Sequence, residues 1–300
     1  MLGFADARYA DVWYAHLDVE EVYRAFADRL TKKEQRRGTR FVTKARSKNS
    51  PHAFDKLTER SDDGYRIASQ PPLLVPLREI PHDHDPDALA AAILQVFRNY
   101  VDTLPDHVQV LVERYRYRDM AIKVVGWGRW ALGVGSVGTR CWIVLLEGRD
   151  EQDPFFLQIK EADRSVLEDH LSVSVYEQHG RRVVEGQRLM QAASDSFLGW
   201  TVGTGGTDYY VPQFKDMKGS IEIDGAPVSA LRRYASVCGW TLARAHARSG
   251  DPAAIAGYLG KSERFDKAIG DFSVAYADQN GRDYDGFTTA IAQGRLPAHE

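Results

Sequence analysis

Apolar residues recur at helical spacing through the first part of the chain. Val12, Trp13, Leu17, Val22, Phe26 and Leu30 fall near a helical period and predict a helix over residues 6–35. Ser50 followed by Pro51 is a helix-start pair, so "NSPHAFDKLTE" opens a second helix. Proline then punctuates "SQPPLLVPLREIPHDHDPD", which reads as extended chain. Leu89, Ile93, Phe97 and Val101 mark an amphipathic helix from Asp87 to about Leu104, and Pro105 opens a further one to about Arg116.

The pattern changes near Asp119. "MAIKVVG", "RCWIVLLEG" and "FFLQIKEA" are short β-rich runs separated by glycine or acidic turns. A helical stretch from about Ser165 to Ala193, interrupted near "QHGRR", follows them. "SFLGWTVG" and "DYYVPQFKDMKGS" are again strand-like, and "VSALRRYASVCGWTLARAHARSGD" is a long helix ending at Gly250. The remainder, from "ERFDKAIG" onward, reads as two more helices. Helices, a mostly antiparallel sheet with one helix set inside it, and helices again predict an α+β fold, with no β-α-β alternation.

Composition adds limits. The chain has 300 residues, with 43% hydrophobic and 27% charged, ordinary proportions for a globular protein. A net charge of −3 does not suggest a nucleic-acid partner. "KKEQRRGTRFVTKARSK" is locally basic and reads as a solvated helical face or an anion-binding patch. No run of eighteen or more apolar residues exists, so no membrane span is expected. Cys141 and Cys238 sit in apolar surroundings and read as reduced, buried thiols of a cytoplasmic protein. No Cys-x-x-Cys pair points to zinc.

The candidate chemistry lies in "KVVGWGRWALGVGSVGTRCWIVLL", where "GVGSVG" places glycines at 133, 135 and 138 around Ser136. A dinucleotide turn with this spacing must open a helix. Here "TRCWIVLL" follows, which is β-branched, aromatic and apolar, and reads as a strand. The loop then joins strand to strand. It is either a plain β-hairpin or a hairpin that lays backbone N–H groups over phosphates, as in kinases. Kinase chemistry also needs a cation on the next strand and a helix carboxylate to hold it. Lys160 in "FFLQIKEA" is that cation, in a run that looks like the Val-Ala-Ile-Lys signature. Glu168, Glu177 and Glu185 are candidate carboxylates. Glu185 is favoured, because Leu189 one turn on would pack the same face inward. An ion pair between Lys160 and Glu185 is expected. "DYYVPQF" with "KDMKG" resembles a strand and hinge for an adenine ring, and Pro212 suits an edge or hinge position.

Several long stretches in order, "VGSVGTRCWIVLLEG", "FLQIKEA", "RRVVEGQRLMQAASD", "DYYV", "DMKGS", "GWTLARAHARSGD" and "AYADQNGRDY", resemble the bacterial domain-of-unknown-function 2252 family. The resemblance runs from roughly Asp11 to Arg295 and includes "ARSKN", "KLTE", "PPLLVPL" and "ERYR" upstream. It implies a protein-kinase-like or aminoglycoside-phosphotransferase-like fold. Two departures stand out. An extra "WGRWALG" lies between "KVVG" and "VGSVGTR". The catalytic-loop and metal-aspartate stretches that family members carry upstream are not found here, so the chain looks like the family's larger C-terminal portion. Asp251 in "HARSGD" and Asp271 in "GDFS" echo a catalytic loop and a metal aspartate. Position 256 is Ala where a metal-holding Asn is needed, and Asp251 fits better as a helix cap before Pro252. His246 reads as a packed histidine, and His82 and His84 as a solvated loop.

These readings divide the chain into a mainly helical segment (1–117), a kinase-like nucleotide-binding lobe (118–220) and a helical C-terminal lobe (221–300). The expectation is a kinase-like protein that binds ATP and Mg²⁺ through Gly133, Gly135, Ser136, Gly138, Lys160 and Glu185, with no dedicated metal site. A small molecule or protein would be the phosphoryl acceptor, and the chain is expected to be incomplete for transfer. The alternative is a non-catalytic remnant that binds a ligand or partner.

Overall fold

The computed structural model describes residues 2–16, 50–62, 64–71, 73–80, 86–123, 139–214 and 225–296, with single positions 43 and 223. Its centre is an antiparallel sheet of six strands in the order β3-β4-β5-β6-β8-β7. The strands are β3 (Leu74–Pro76), β4 (Arg116–Lys123), β5 (Cys141–Glu147), β6 (Pro154–Glu161), β7 (Gly199–Val202) and β8 (Asp208–Val211). A separate hairpin, β1 (Thr58–Ser61) with β2 (Gly64–Ile67), lies earlier in the chain.

Alternation along the strands sends side chains to two covered faces. Val144, Leu146, Phe155, Leu157 and Val211 pack on one face with Tyr100, Val101, Leu104, Val108 and Val112. The latter come from helices α4 (Pro86–Val101) and α5 (Asp106–Val112), with Leu104 in the connection between them. Ala121, Ile143, Leu145 and Phe156 face the other side, under Ala53 of α3 (Ser50–Leu57) together with Ile67, Leu74 and Phe214. With both faces covered, β5 is a nearly unbroken apolar run, as its sequence "CWIVLLE" shows. The sheet and its inserted helix make the fold α+β, as the element order predicts.

Helix α6 (His179–Met190) lies between β6 and β7 in the chain and sits on the β7–β8 hairpin. Its start is pinned there: His179 N donates to Asp208 Oδ2 at 2.7 Å and Gln178 Nε2 to the Thr201 carbonyl at 3.1 Å. Near its end, Arg188 Nη2 donates to the Leu198 carbonyl at 2.7 Å. The C-terminal helix α7 (Val228–Ser249) attaches where α6 ends. Arg244 donates to the Met190 carbonyl at 3.2 Å and Arg248 to the Gln191 carbonyl at 2.6 Å. Guanidinium groups here satisfy and neutralise the carbonyls that a helix end leaves free. The same two arginines hold the N-terminal helix α2 (Tyr9–Tyr14): Arg244 also donates to the Trp13 carbonyl, and Arg248 stacks on the Trp13 ring at 3.8 Å.

Several expectations are corrected. Of the helix predicted over residues 6–35, the described part holds only α2, which begins after Arg8 in an extended conformation; α1 (Leu2–Ala5) precedes it, and residues 17–35 lie outside the described residues. Most of the basic stretch lies outside the described residues. The predicted helix from Ser165 is a 3-10 turn, Val166–Asp169, and the α-helix begins only at His179. Ser174, Glu177 and Gln178 compete for backbone N–H groups or face solvent, which disfavours helix between them. The final segment has α8 (Pro252–Leu259) and then one continuous helix, α9 (Arg264–Ala292), where two were expected. Gly270, Gly281 and Gly286 lower its propensity without removing an N–H, so they do not end it. Strand β8 has neighbours on both sides and is not an edge. Pro212 follows its last residue, and the Pro212 carbonyl still accepts from Gln158 N at 3.0 Å.

Candidate anion site at the end of the central sheet

Strands β4 and β5 are antiparallel neighbours, and the glycine-rich stretch connects the end of one to the start of the other. No helix begins at Thr139 or Arg140, and strand starts at Cys141. The expected strand-to-strand connection is therefore present. Gly133, Gly135, Ser136 and Gly138 themselves lie outside the described residues, as does the inserted "WGRWALG".

The flanks of that connection carry the chemistry. Cys141 pairs with Lys160, and Lys160 with Tyr210, across β5, β6 and β8. Tyr210 pairs in turn with Trp200 on β7. On the other side, Ile122 opposite Trp142 brings Lys123 next to Cys141. Directly opposed residues share a face, so Lys123, Cys141, Lys160, Tyr210 and Trp200 form one row across the sheet. Gln158, two residues before Lys160, points to the same side, and its Nε2 donates to Cys141 Sγ at 2.9 Å.

Both lysines are half-buried, and both lie over aromatic rings: Lys123 Nζ is 5.5 Å from the Phe214 ring centre and Lys160 Nζ is 5.8 Å from that of Tyr210. Burial pushes the Lys123 ammonium below the ordinary lysine value. A charge on Cys141 opposes that shift and Lys160 adds to it. Burial pushes the Cys141 thiol up, against the Gln158 hydrogen bond and the two lysines. Burial also raises the Tyr210 hydroxyl, with a smaller contribution from Cys141. A thiol that is buried and held up in this way is a poor nucleophile, and Cys141 packs within the sheet. Among the described residues neither lysine is in an ion pair. The row thus presents two cations and no anion, which suits it to hold a phosphate or another multiply charged anion.

Helix α6 brings Glu185 to the same side of the sheet. Arg181, Glu185 and Arg188 follow one helical stripe, and both arginines lie over the Trp200 ring, at 5.6 and 5.8 Å from its centre. Glu185 nonetheless does not meet Lys160. Its carboxylate lies 3.4 Å from Arg188, and the ion pair expected between Lys160 and Glu185 is not formed. The reason is positional: Arg188 is one turn away on the same helix, and that helix lies on β7 and β8 while Lys160 is on β6. Glu168 pairs with Arg164 at 3.3 Å and accepts from Ser174 N, so it closes its own loop. Glu177 is exposed.

Asp251 takes the capping role. Its Oδ1 accepts from Ala253 N at 2.9 Å and Ala254 N at 3.1 Å, at the start of α8. His246 is exposed on α7, and His82 and His84 lie outside the described residues. Cys238 is half-buried, not buried as expected, and both cysteines are free. Among the described residues no cluster of acidic, histidine and cysteine side chains could hold a metal, and no helix is long and apolar enough to cross a membrane.

Sequence reasoning missed Lys123, Gln158 and Tyr210. The signal was available: the residues just before and just after a strand-to-strand connection lie opposite each other, so Lys123 and Cys141 had to share the face of Lys160.

No curated protein and no solved structure matches the chain. A family model described as "Uncharacterized protein conserved in bacteria (DUF2252)" matches residues 1–290, and the chain belongs to that family.

Proposed function

We propose that the protein is a kinase-like nucleotide-binding protein that holds the phosphates of ATP and Mg²⁺ at the lysine row, with Lys160 as the principal phosphate contact. The observation that carries this reading is the position of Lys160. It lies on β6, the second strand after the glycine-rich stretch, before an inserted helix, and beside β8, the second strand after that helix. Kinase-type phosphate sites use that order of parts. Binding, not transfer, is the proposed activity of this chain. No residue in it is assigned as the acid or the metal ligand of phosphoryl transfer, and the acceptor is not specified.

A second reading is a ligand- or partner-binding module that transfers nothing. It is favoured by Asp251, whose carboxylate is spent on a helix cap, and by Glu185, which is taken by Arg188.

A thermal melt with and without ATP and Mg²⁺ separates the readings. A ligand present at about a hundred times its Kd stabilises by roughly 2.7 kcal/mol. The wild-type chain is expected to gain a shift of that order at millimolar ATP, and Lys160→Ala to lose most of it. An unshifted wild-type melt contradicts nucleotide binding and leaves the module reading.

A further inference from the structure

We infer that Lys123 is a second phosphate-binding cation of this site, and that the ligand class is one with two or more phosphate groups in series. The inference rests on the nucleotide reading above for the identity of the ligand, but not for the geometry of the pair.

Lys123 closes β4 and Lys160 lies near the end of β6, with β5 between them. Their backbones are two strand spacings apart, about 9.6 Å. Both side chains leave the same face, and each ammonium rides on a flexible four-carbon stem. The two charges can therefore converge on neighbouring phosphate groups. A single phosphate would engage one of them well and the other poorly.

The burial of Lys123 supports the assignment. The side chain is half-buried beside the Phe214 ring and next to the buried Cys141 thiol. Its strand neighbour on the other side, Leu74, is buried and apolar. Among the described residues it has no carboxylate partner, although half-buried ammonium groups ordinarily acquire one. Burial and Lys160 both disfavour its charged form, and an anion bound between the two lysines would relieve both effects. A lysine kept only for packing would be replaced by an apolar side chain without penalty. A lysine kept for an anion would be missed only when that anion binds.

The test is calorimetric titration of the full chain with ATP, ADP, AMP and inorganic tripolyphosphate, using wild type, Lys123→Met and Lys123→Arg. Unliganded melts are run alongside. Lys123→Met is expected to weaken ATP and tripolyphosphate by at least about tenfold, the effect of losing one charge-assisted contact. AMP should change by less than twofold, and Lys123→Arg should keep most of the ATP affinity. The unliganded melt of Lys123→Met should be no lower than that of wild type, because an unpaired half-buried charge has been removed. If Lys123→Met binds ATP as tightly as wild type, or loses AMP and ATP alike, the inference is overturned while nucleotide binding stands. If tripolyphosphate binds through both lysines and ATP binds no better, the lysine pair stands and the nucleotide reading falls. Absence of binding by every ligand overturns both.

Discussion

Gly180→Ala is expected to destabilise the protein by about 3 kcal/mol, the upper range for overpacking a filled site, and to lower the melting temperature by about 5–10 °C. Gly180 is the second residue of α6, fully buried where the helix meets β8. A Cβ built on it would stand 2.1 Å from the Tyr209 carbonyl oxygen and 2.6 Å from its carbonyl carbon. Those atoms belong to a strand paired on both sides, so they cannot move aside as a flexible side chain would. The helix must lift instead, which strains the His179–Asp208 and Gln178–Thr201 contacts at its start. Gly186→Ala, in the same helix, is the control. Its nearest neighbour to an added Cβ is the Met190 methyl at 3.9 Å, so alanine is expected to be neutral or slightly stabilising. Equal losses at both positions would show that α6 does not seat on β8 as described.

Phe156→Ala is expected to cost about 3–5 kcal/mol, the usual range for truncating a core aromatic. Phe156 is fully buried at the centre of the face under α3, opposite Leu145 and 6.3 Å from the Phe214 ring. Its carbonyl accepts from Phe214 N at 2.9 Å, so the same residue also anchors the chain after β8. Alanine leaves that hydrogen bond but opens a cavity between strand and helix. The denaturation midpoint should fall with little change in slope, because the surface exposed on unfolding is nearly the same. Phe272→Ala is the matched control. That ring is 62% exposed on α9, and its loss should be within about 0.5 kcal/mol. A Phe156 variant as stable as the Phe272 variant would contradict the position of the core.

The strands of the central sheet were legible because their sequences are locally consistent. "RCWIVLLEG" and "FFLQIKEA" are apolar on both faces, and a strand buried on both faces must be. The hairpin of β1 and β2 was missed for the opposite reason. "TERSDDGYRI" is polar along its length, and of its two strands only Ile67 is fully buried. The Asp-Gly pair in "SDDGY" was the readable signal, and its Gly64 opens β2 at positive φ. The single helix α9 was misread because its internal glycines look like breaks. Intrinsic propensity was overruled by length and by the absence of proline.

The candidate site was half legible. Lys160 and the glycine stretch stand out by spacing, and the strand pairing places Lys160 at the same sheet end as that stretch. Glu185 was chosen by helical periodicity, on the expectation that Leu189 one turn on packs inward; Leu189 is exposed, and the stripe that lies over Trp200 is set by Arg181 and Arg188 instead. Periodicity holds no information about competition between partners. Arg188 on the same stripe takes the carboxylate, because the helix seats on β7 and β8 and not on the lysine strand. Lys123 was passed over because it reads as the polar end of a strand. Only register shows that it stands beside Cys141 and Lys160.

The most direct measurement labels the lysines with an ATP derivative whose terminal phosphate carries a transferable acyl group, followed by peptide mass spectrometry. Acylation requires a lysine amine beside the bound phosphates. The account predicts modification at Lys160 and Lys123, suppressed by excess ATP. Labelling that ATP does not suppress, or that falls instead on exposed lysines such as Lys261 and Lys267, would contradict a nucleotide phosphate site at the end of this sheet.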